Sequence, residues 1–372
     1  MIKIFITIPW FRPAFRAGGP IQSVANLINE YTQDVKYYIF CSNVDLNAAP
    51  LENISTGSWV RFNELTEVWY ASPEKISEQL VNAVKTISPD ILYIIGLFSW
   101  HFNIVPLLFC KVPKKILSVR GMLHPGALSQ KKWKKKLFLQ AFRTFEYQRK
   151  VVFHATDAAE VKFIRNHFGD MAEIKVAGNF PNYLGTLPIA QKETGMLKLI
   201  TIALISPMKN ILMVLDALGA IEANVQYDIY GPIKDAAYWG ECLLTIRSLP
   251  ENISVIFHGE LDPSKVKEKL AGNHVFIMPS KSENFGHSIF EALSCGRPVI
   301  TSHHTPWNQL DESLAGKNIS IDTQDQMINA INFFAVMDGQ TMGQWHDGAI
   351  HYAANGFSMD NIRQQYREMF LA

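Results

Sequence analysis

One stretch limits the fold more than any other: residues 274–300, HVFIMPSKSENFGHSIFEALSCGRPVI. HVFIMP is a short β-branched and aromatic run closed by a proline, which predicts a buried strand. SKSENFG supplies small polar residues and then a glycine, the composition of a loop that turns sharply or approaches a ligand closely. HSIFEALSC predicts a helix with Ile289, Phe290 and Leu293 inward, stopped by Gly296 and Pro298. PVI opens another strand. A strand–loop–helix–strand order in so short a span calls for a parallel sheet. Its loop then lies at the carboxyl end of a strand, where open parallel sheets bind ligands.

Two carboxylates sit in this unit, Glu283 in the loop and Glu291 in the helix. Between them the backbone N–H groups of Phe285, Gly286 and His287, followed by Ser288, fall at a helix start, which favours an anion. A carboxylate accepts hydrogen bonds from neighbouring hydroxyls, so the set suits a sugar or ribose beside a phosphate. Two glutamates at this spacing, taken alone, describe a solvated helix face. The complete pattern is far more specific: strand, P-S-x-x-E-x-F-G, then E-A, then G-x-P-V-I.

These residues resemble the carboxy-terminal donor site of retaining glycosyltransferases of the GT-B fold, in particular glycosyltransferase family 4. The resemblance implies an α/β fold of two Rossmann-like, doubly wound parallel-sheet domains with an interdomain cleft. It assigns Glu283 to the donor sugar and Glu291 to the ribose hydroxyls of a nucleotide-sugar. Phe285, Gly286, His287 and Ser288 join the donor-binding set.

At 372 residues the chain exceeds one ordinary core, so two domains are expected. We place them at 1–185 and 186–357, with a polar connector around QKETG; under the resemblance the terminal helix, 358–372, packs back on the first domain. The hydrophobic share of 48% and charged share of 19% exclude a disordered chain. Cys41, Cys110, Cys242 and Cys295 share no metal-type spacing and read as reduced core residues of a cytoplasmic protein. The opening MIKIFITIPWF leads directly into a strand and is unsuited to a signal peptide. The apolar stretch 91–110 carries Ser99, His101, Asn103 and Pro106 near its middle, so it is read as a strand (91–96), a polar loop and a helix (103–110), not a membrane span.

A net charge of +1 conceals an asymmetry: residues 1–180 hold 22 Lys+Arg against 14 Asp+Glu, and residues 181–372 hold 13 against 20. Much of the excess lies in 111–150, with 12 basic residues and Glu146 alone acidic. KKWKKKLFLQAF mixes those charges with Trp133, Leu137, Phe138 and Phe142. Two readings follow: a helix at 131–143 lying on anionic lipid at the inner face of the cytoplasmic membrane, or a core helix with a solvated basic face. No nucleic-acid recognition motif accompanies the charge.

In chain order, KIFITIP predicts a first strand, followed by a loop closing on Gly18-Gly19-Pro20 and a helix. The glycine pair is either a plain turn or a place where amides reach a phosphate. Family 4 enzymes carry a similar loop, which assigns Gly19 to the donor and Gly18 to the cleft. SPEKISEQLVNAVKTISPD (72–90) predicts a helix with a capping signal at its start. KKILSVRGML predicts a strand ending at Arg120, and VFHATDAAEVKFIRNHFG a strand ending at His154 and a helix capped by Thr156 or Asp157. The segment 120–138 resembles bacterial family 4 enzymes of cell-surface polysaccharide synthesis (lipopolysaccharide, O-antigen, capsule, exopolysaccharide). That resemblance gives Arg120 a phosphate- or acceptor-neutralising role, with His124 and His154 as acceptor or cleft residues. His124, before Pro125, also fits a surface turn.

In the second half, LKLITIALISPMKNILMVLDAL predicts strand, loop and helix, with Lys209 where its charge adds to the helix dipole on a diphosphate. VQYDIYGP ends in Gly231, which joins the donor set under the resemblance. The family usually carries an arginine five residues before the lysine; here that position is Leu204. His303-His304 has no nearby third ligand, and the chain contains no Asp-x-Asp. The expectation is therefore a metal-independent, cofactor-free retaining transferase, with Glu283, Lys209 and Arg120 as catalytic groups. It would move a sugar from a nucleotide-sugar to a hydroxyl of a glycan or lipid-linked acceptor. Two alternatives stand beside it: a catalytically impaired nucleotide-sugar-binding partner subunit, motivated by Leu204, and a GT-B-fold nucleotide-sugar epimerase or phosphorylase.

Overall fold

The computed structural model describes residues 1–129 and 132–371. The chain divides into two compact units, Met1–Phe180 with Met359–Ala372, and Pro181–Ser358.

Unit 1 carries strands β1 (Ile2–Thr7), β2 (Val35–Ser42), β3 (Trp59–Arg61), β4 (Thr66–Ala71), β5 (Ile91–Ile95), β6 (Lys114–Ser118), β7 (Val152–Ala155) and β8 (Glu173–Val176). Their order is β3-β4-β2-β1-β5-β6-β7-β8. All neighbours run parallel except the β3–β4 hairpin. The helices are α1 (Gly19–Glu30), α2 (Ile76–Ile87), α3 (Val105–Phe109), α4 (Pro125–Ser129), α5 (Lys132–Thr144) and α6 (Ala158–Phe168). Strand β5 (ILYII) reads as an unbroken apolar run, buried throughout, because helices cover both faces of a parallel sheet.

Three local expectations are corrected. The helix at 72–90 gains no side-chain cap, because Lys75 takes the left-handed conformation (φ 58°) and α2 starts only at Ile76. The helix expected at 103–110 forms as α3 at Val105–Phe109, and the expected polar loop before it is partly a π turn, Trp100–Ile104, with Ser99 Oγ accepting from Phe102 N–H. The strand expected to end at Arg120 stops at Ser118, and Arg120 turns into φ 49°. The region 43–70 contains the β3–β4 hairpin, where Trp59 packs edge-on to Phe5, Tyr38 and Trp69. Asp157 caps α6 by accepting from Glu160 N–H.

Unit 2 holds β9 (Met196–Ile202), β10 (Asn224–Tyr230), β11 (Ile253–Phe257), β12 (Val275–Met278), β13 (Val299–Ser302) and β14 (Gly316–Ile319), all parallel in the order β11-β10-β9-β12-β13-β14. Helices α7 (Ile211–Leu218), α8 (Ala236–Arg247), α9 (Val266–Ala271), α10 (His287–Ser294), α11 (Asp325–Ala335) and α12 (Gly339–Asn355) complete it. The chain leaves β9 toward β10 on one side and returns to β12 on the other. The gap between the carboxyl ends of β9 and β12 is thus a topological switch point. The last helix, α13 (Met359–Leu371), belongs to unit 1, where Tyr366 stacks on Phe180 at 5.2 Å and Arg363 pairs with Glu30.

The segment 181–193 has neither helix nor strand, yet it is packed into unit 2. Buried donors grip its carbonyls: Arg297, 1% exposed, reaches Pro188 O, His346 Nε2 donates to Leu187 O, and His274 Nε2 to Gln191 O. Lys192 returns the contact by donating to Ala335 O and Met337 O. Burial lowers Arg297 to about 10 and His274 to about 4, leaving an arginine still charged and a histidine neutral at pH 7. The QKETG stretch, expected to be a loose linker, is therefore fixed backbone.

Candidate functional site

The loop after β9 and the loop after β12 are stitched together at the switch point. Lys281 N–H donates to Met208 O at 2.8 Å, and the Lys209 ammonium pairs with the Glu283 carboxylate. Ser280 Oγ donates to the same Glu283 oxygen at 2.7 Å, and Glu283 N–H reaches His304 O at 3.2 Å. Lysine and glutamate, 74 residues apart in sequence, thus share one largely buried spot at the carboxyl ends of two neighbouring strands.

The turn into α10 is set by Gly286, whose φ of 78° suits glycine. A Cβ there would stand 3.1 Å from Ile289 Cδ1 and 3.2 Å from Trp307 Nε1. Phe285 is buried against Trp307 and Phe357, its ring 4.7 Å from that of His287, while Trp307 Nε1–H donates to Phe285 O. These contacts aim the first turn of α10, residues His287 and Ser288, toward the switch point, where amides lacking an i−4 carbonyl favour negative charge. Glu291 follows one turn later, its Oε1 accepting from Asn182 Nδ2 at 2.9 Å. Asn182 is a site residue that the pattern of residue types had not flagged. No spacing rule links it to Glu291, and only packing brings the two together.

Gly231 has a different explanation from the one expected. A Cβ at this position would lie 1.8 Å from Ala203 O, so the approach of two strand ends already requires glycine. Leu204 is partly exposed in the loop after β9 and offers no charge. A cavity of about 480 Å³ lies beside this cluster, lined by Pro207, Asn210, Asp235, Tyr238, Lys281 and Asp322 among others. It does not include Lys209, Glu283 or Glu291, and its carboxylates suit a sugar diphosphate poorly.

In unit 1, Gly18 takes φ 69° as the residue before α1, with open space where a Cβ would be built on it or on Gly19. The loop ahead of it is anchored by Asp45, which accepts from Phe15 N–H and Arg16 N–H. Arg120 donates to Asn179 Oδ1 at 2.5 Å and to Tyr93 OH at 3.0 Å, and its Nε has no hydrogen-bond partner among the described residues. Tyr93 OH and Ser118 Oγ in turn meet His154 Nδ1 at 2.6 and 3.0 Å. The opposite nitrogen, Nε2, donates to Ala177 O, which makes Nδ1 the acceptor. Burial first, then Arg120, pushes His154 down to about 3, so it stays neutral. His154 is 0% exposed, which corrects its assignment as a cleft residue: it positions Tyr93, and through it Arg120. His124 is turned on itself, its Nδ1 accepting from Gly126 N–H and its ring edge-on to Phe163 at 5.3 Å. Glu160, not singled out in the sequence, is buried and accepts from Gly121 N–H at 2.5 Å and from Thr156 N–H and Oγ.

On α5, Phe138, Leu139 and Phe142 face the core, whereas Trp133 and Leu137 are 69% and 63% exposed on the opposite side. Residue 131, the start of the expected membrane-contact stretch, lies outside the described residues. Among the described residues no helix is long and apolar enough to cross a membrane, and no group of three His, Cys, Asp or Glu is arranged to hold a metal ion.

Comparison with known proteins adds three findings. Residues 188–314 match the family model described as glycosyl transferases group 1. An uncharacterized 41.2 kDa protein in the cps region of Klebsiella pneumoniae is 23% identical over 124 residues, 32% of this chain and 33% of that protein's length. Among solved structures, sucrose-phosphate synthase from Thermosynechococcus elongatus has a TM-score of 0.75 at 17% identity, covering 100% of this chain and 99% of that one. Anabaena HepE in complex with UDP and glucose has 0.71 at 18%, covering 99% of both chains. WaaG, a glycosyltransferase involved in lipopolysaccharide biosynthesis, has 0.66 at 12%, covering 100% of both. The chain has the two-domain α/β GT-B fold with Rossmann-like parallel sheets.

Proposed function

We propose that the protein is a retaining, metal-independent glycosyltransferase that moves a sugar from a nucleotide-sugar to a hydroxyl of a glycan or lipid-linked acceptor. The observation that carries this reading is the meeting of Lys209 and Glu283 at the switch point of unit 2, beside the first turn of α10 and Glu291. Breaking the anomeric bond leaves a diphosphate, whose developing charge needs fixed positive partners. Lys209 and the amides at Gly286–Ser288 supply them. Glu283, held by Lys209 and Ser280, sits where a carboxylate stabilises positive charge building on the sugar ring and accepts from its hydroxyls. Glu291 holds the ribose. Likeness to HepE, solved with UDP and with UDP-glucose, favours a uridine nucleotide as the first donor to try.

Unit 1 contributes the acceptor side, with Arg120 as its cation, and α5 lies against anionic lipid through Trp133, Leu137, Lys134 and Lys136. This puts the work at the inner face of the cytoplasmic membrane, on a cell-surface polysaccharide. The relative in a cps region and the likeness to WaaG support that direction. Leu204 favours a second reading, a nucleotide-sugar-binding partner that does not turn over. Incubation with UDP-, GDP- and dTDP-sugars, with chromatography for released nucleotide, separates the two. Release from one donor supports the enzyme. Binding with no turnover of any donor, restored by Leu204→Arg, establishes the partner reading instead.

A further inference from the structure

The segment just after the unit boundary runs along α10 in register. Asn182 Nδ2 donates to Glu291 Oε1 at 2.9 Å, the Tyr183 ring meets Phe290 edge-on at 4.7 Å, and Leu184 N–H reaches Ser294 Oγ at 3.4 Å. Tyr183 OH donates to Ala353 O at 2.8 Å, and Leu187 N–H to Cys295 O at 3.3 Å. Further along, Arg297 and His346 hold the carbonyls of Pro188 and Leu187. Asn182 is therefore not a surface amide that happens to touch a glutamate. Its backbone is pinned on its C-terminal side by a succession of contacts to α10 and the elements behind it.

We infer that Asn182 is a positioning residue of the donor site: its amide fixes the plane of the Glu291 carboxylate so that the group meets two vicinal hydroxyls of a ribose. This inference rests on the donor-site reading proposed above. A carboxylate on a flexible glutamate stem rotates about its last bond. Each rotation away from the diol costs affinity, whereas a donor held at one oxygen keeps the plane in place before the ligand arrives. A hydrogen bond to a charged group is strong enough for its loss to be visible in binding. Acting through Glu291, Asn182 should have an effect that depends on the ligand having hydroxyls for Glu291 to hold.

The test uses the full chain, with UDP and 2′,3′-dideoxy-UDP as probes in isothermal titration. The wild type should prefer UDP. Asn182→Ala should weaken UDP by about ten-fold while leaving the dideoxy compound unchanged, so that the preference collapses. In a Glu291→Gln background the Asn182 substitution should add little. Asn182→Asp preserves size, sets one carboxylate against another, and should weaken UDP at least as much, which guards against a poorly folded alanine variant. Equal UDP affinity in wild type and Asn182→Ala overturns the inference, and so does an equal loss for both probes, the mark of a purely structural role. A wild type that binds UDP without preferring it to the dideoxy form removes the ribose role of Glu291 and this inference with it. A wild type that binds no nucleoside diphosphate overturns the donor-site reading itself.

Discussion

Two cations lie at strand ends in the two units, and they are held in opposite ways. Lys209 is paired with a carboxylate, Glu283, in a partly open loop junction. Arg120 is bonded to neutral oxygens, Asn179 Oδ1 and Tyr93 OH; the nearby Glu160 adds a favourable charge interaction, and its carboxylate accepts from Gly121 and Thr156. A lysine that shares its charge with one glutamate can exchange that partner for a phosphate at small cost, since the ammonium has three donors and a flexible stem. An arginine wedged among hydroxyls and an amide is fixed in direction and keeps its charge unneutralised by any hydrogen-bonded acid. The first arrangement suits chemistry in which charge moves; the second suits holding something still.

That contrast can be broken by substitution. The largest effect is expected at Lys209→Ala, which should lower turnover by roughly 10²–10³-fold in a donor-release assay, with nucleotide affinity changing less. Turnover within a few-fold of wild type would remove Lys209 from the chemistry. Tyr93→Phe strips Arg120 and His154 of the hydroxyl between them and should cost about 1–3 kcal/mol of stability in urea unfolding, while Lys209→Ala costs little. If both variants unfold at the same denaturant concentration as wild type, the two cations are not held differently.

Acid should separate the regions more gently. His154 and His274 are neutral when folded, at about 3 and about 4, whereas an unfolded histidine titrates near 6.5. The unfolded chain therefore binds those protons first. Stability is fully present above about pH 6.5 and falls as pH drops toward the folded values. His274→Asn, which retains a donor for Gln191 O, should flatten this slope between pH 6.5 and 4.5 in thermal melts, and an unchanged slope would discount the buried histidines. The smallest effect on the fold belongs to Trp133→Ala and Leu137→Ala, within about 0.5 kcal/mol because both side chains are exposed. The same pair should abolish co-sedimentation with vesicles containing anionic lipid, if α5 is the lipid face.

The sequence made some of this legible and left some of it hidden. The unit at 274–300 was readable because apolar runs, a turn glycine and a proline stop all agree on one local structure, and β12, α10 and β13 form there. The β3–β4 hairpin and the helix α12, with its scattered small and polar residues, carry weaker periodicity and owe their shape to tertiary packing. Within the site, types and spacing singled out Lys209 and Glu283. They could not reveal that the two bond each other, because that contact spans 74 residues. Asn182 and Glu160 stayed invisible for the same reason. His154 misled, since a histidine closing a strand looks accessible until the helix that buries it, α13, is found on top of it through Tyr366 at 5.6 Å.

The gripped backbone at 181–193 carries a practical consequence. A biochemist dividing this chain by composition would cut after residue 195, where the polar run QKETG ends. Such a fragment would strand His346 and His274 indoors without the carbonyls their Nε2 groups bond, each a penalty of about 1–3 kcal/mol, would take Pro188 O from Arg297, and would discard Asn182 as well. A nucleotide-binding half expressed by itself should begin at Pro181, and proteases should leave its first dozen residues alone although they form no helix or strand.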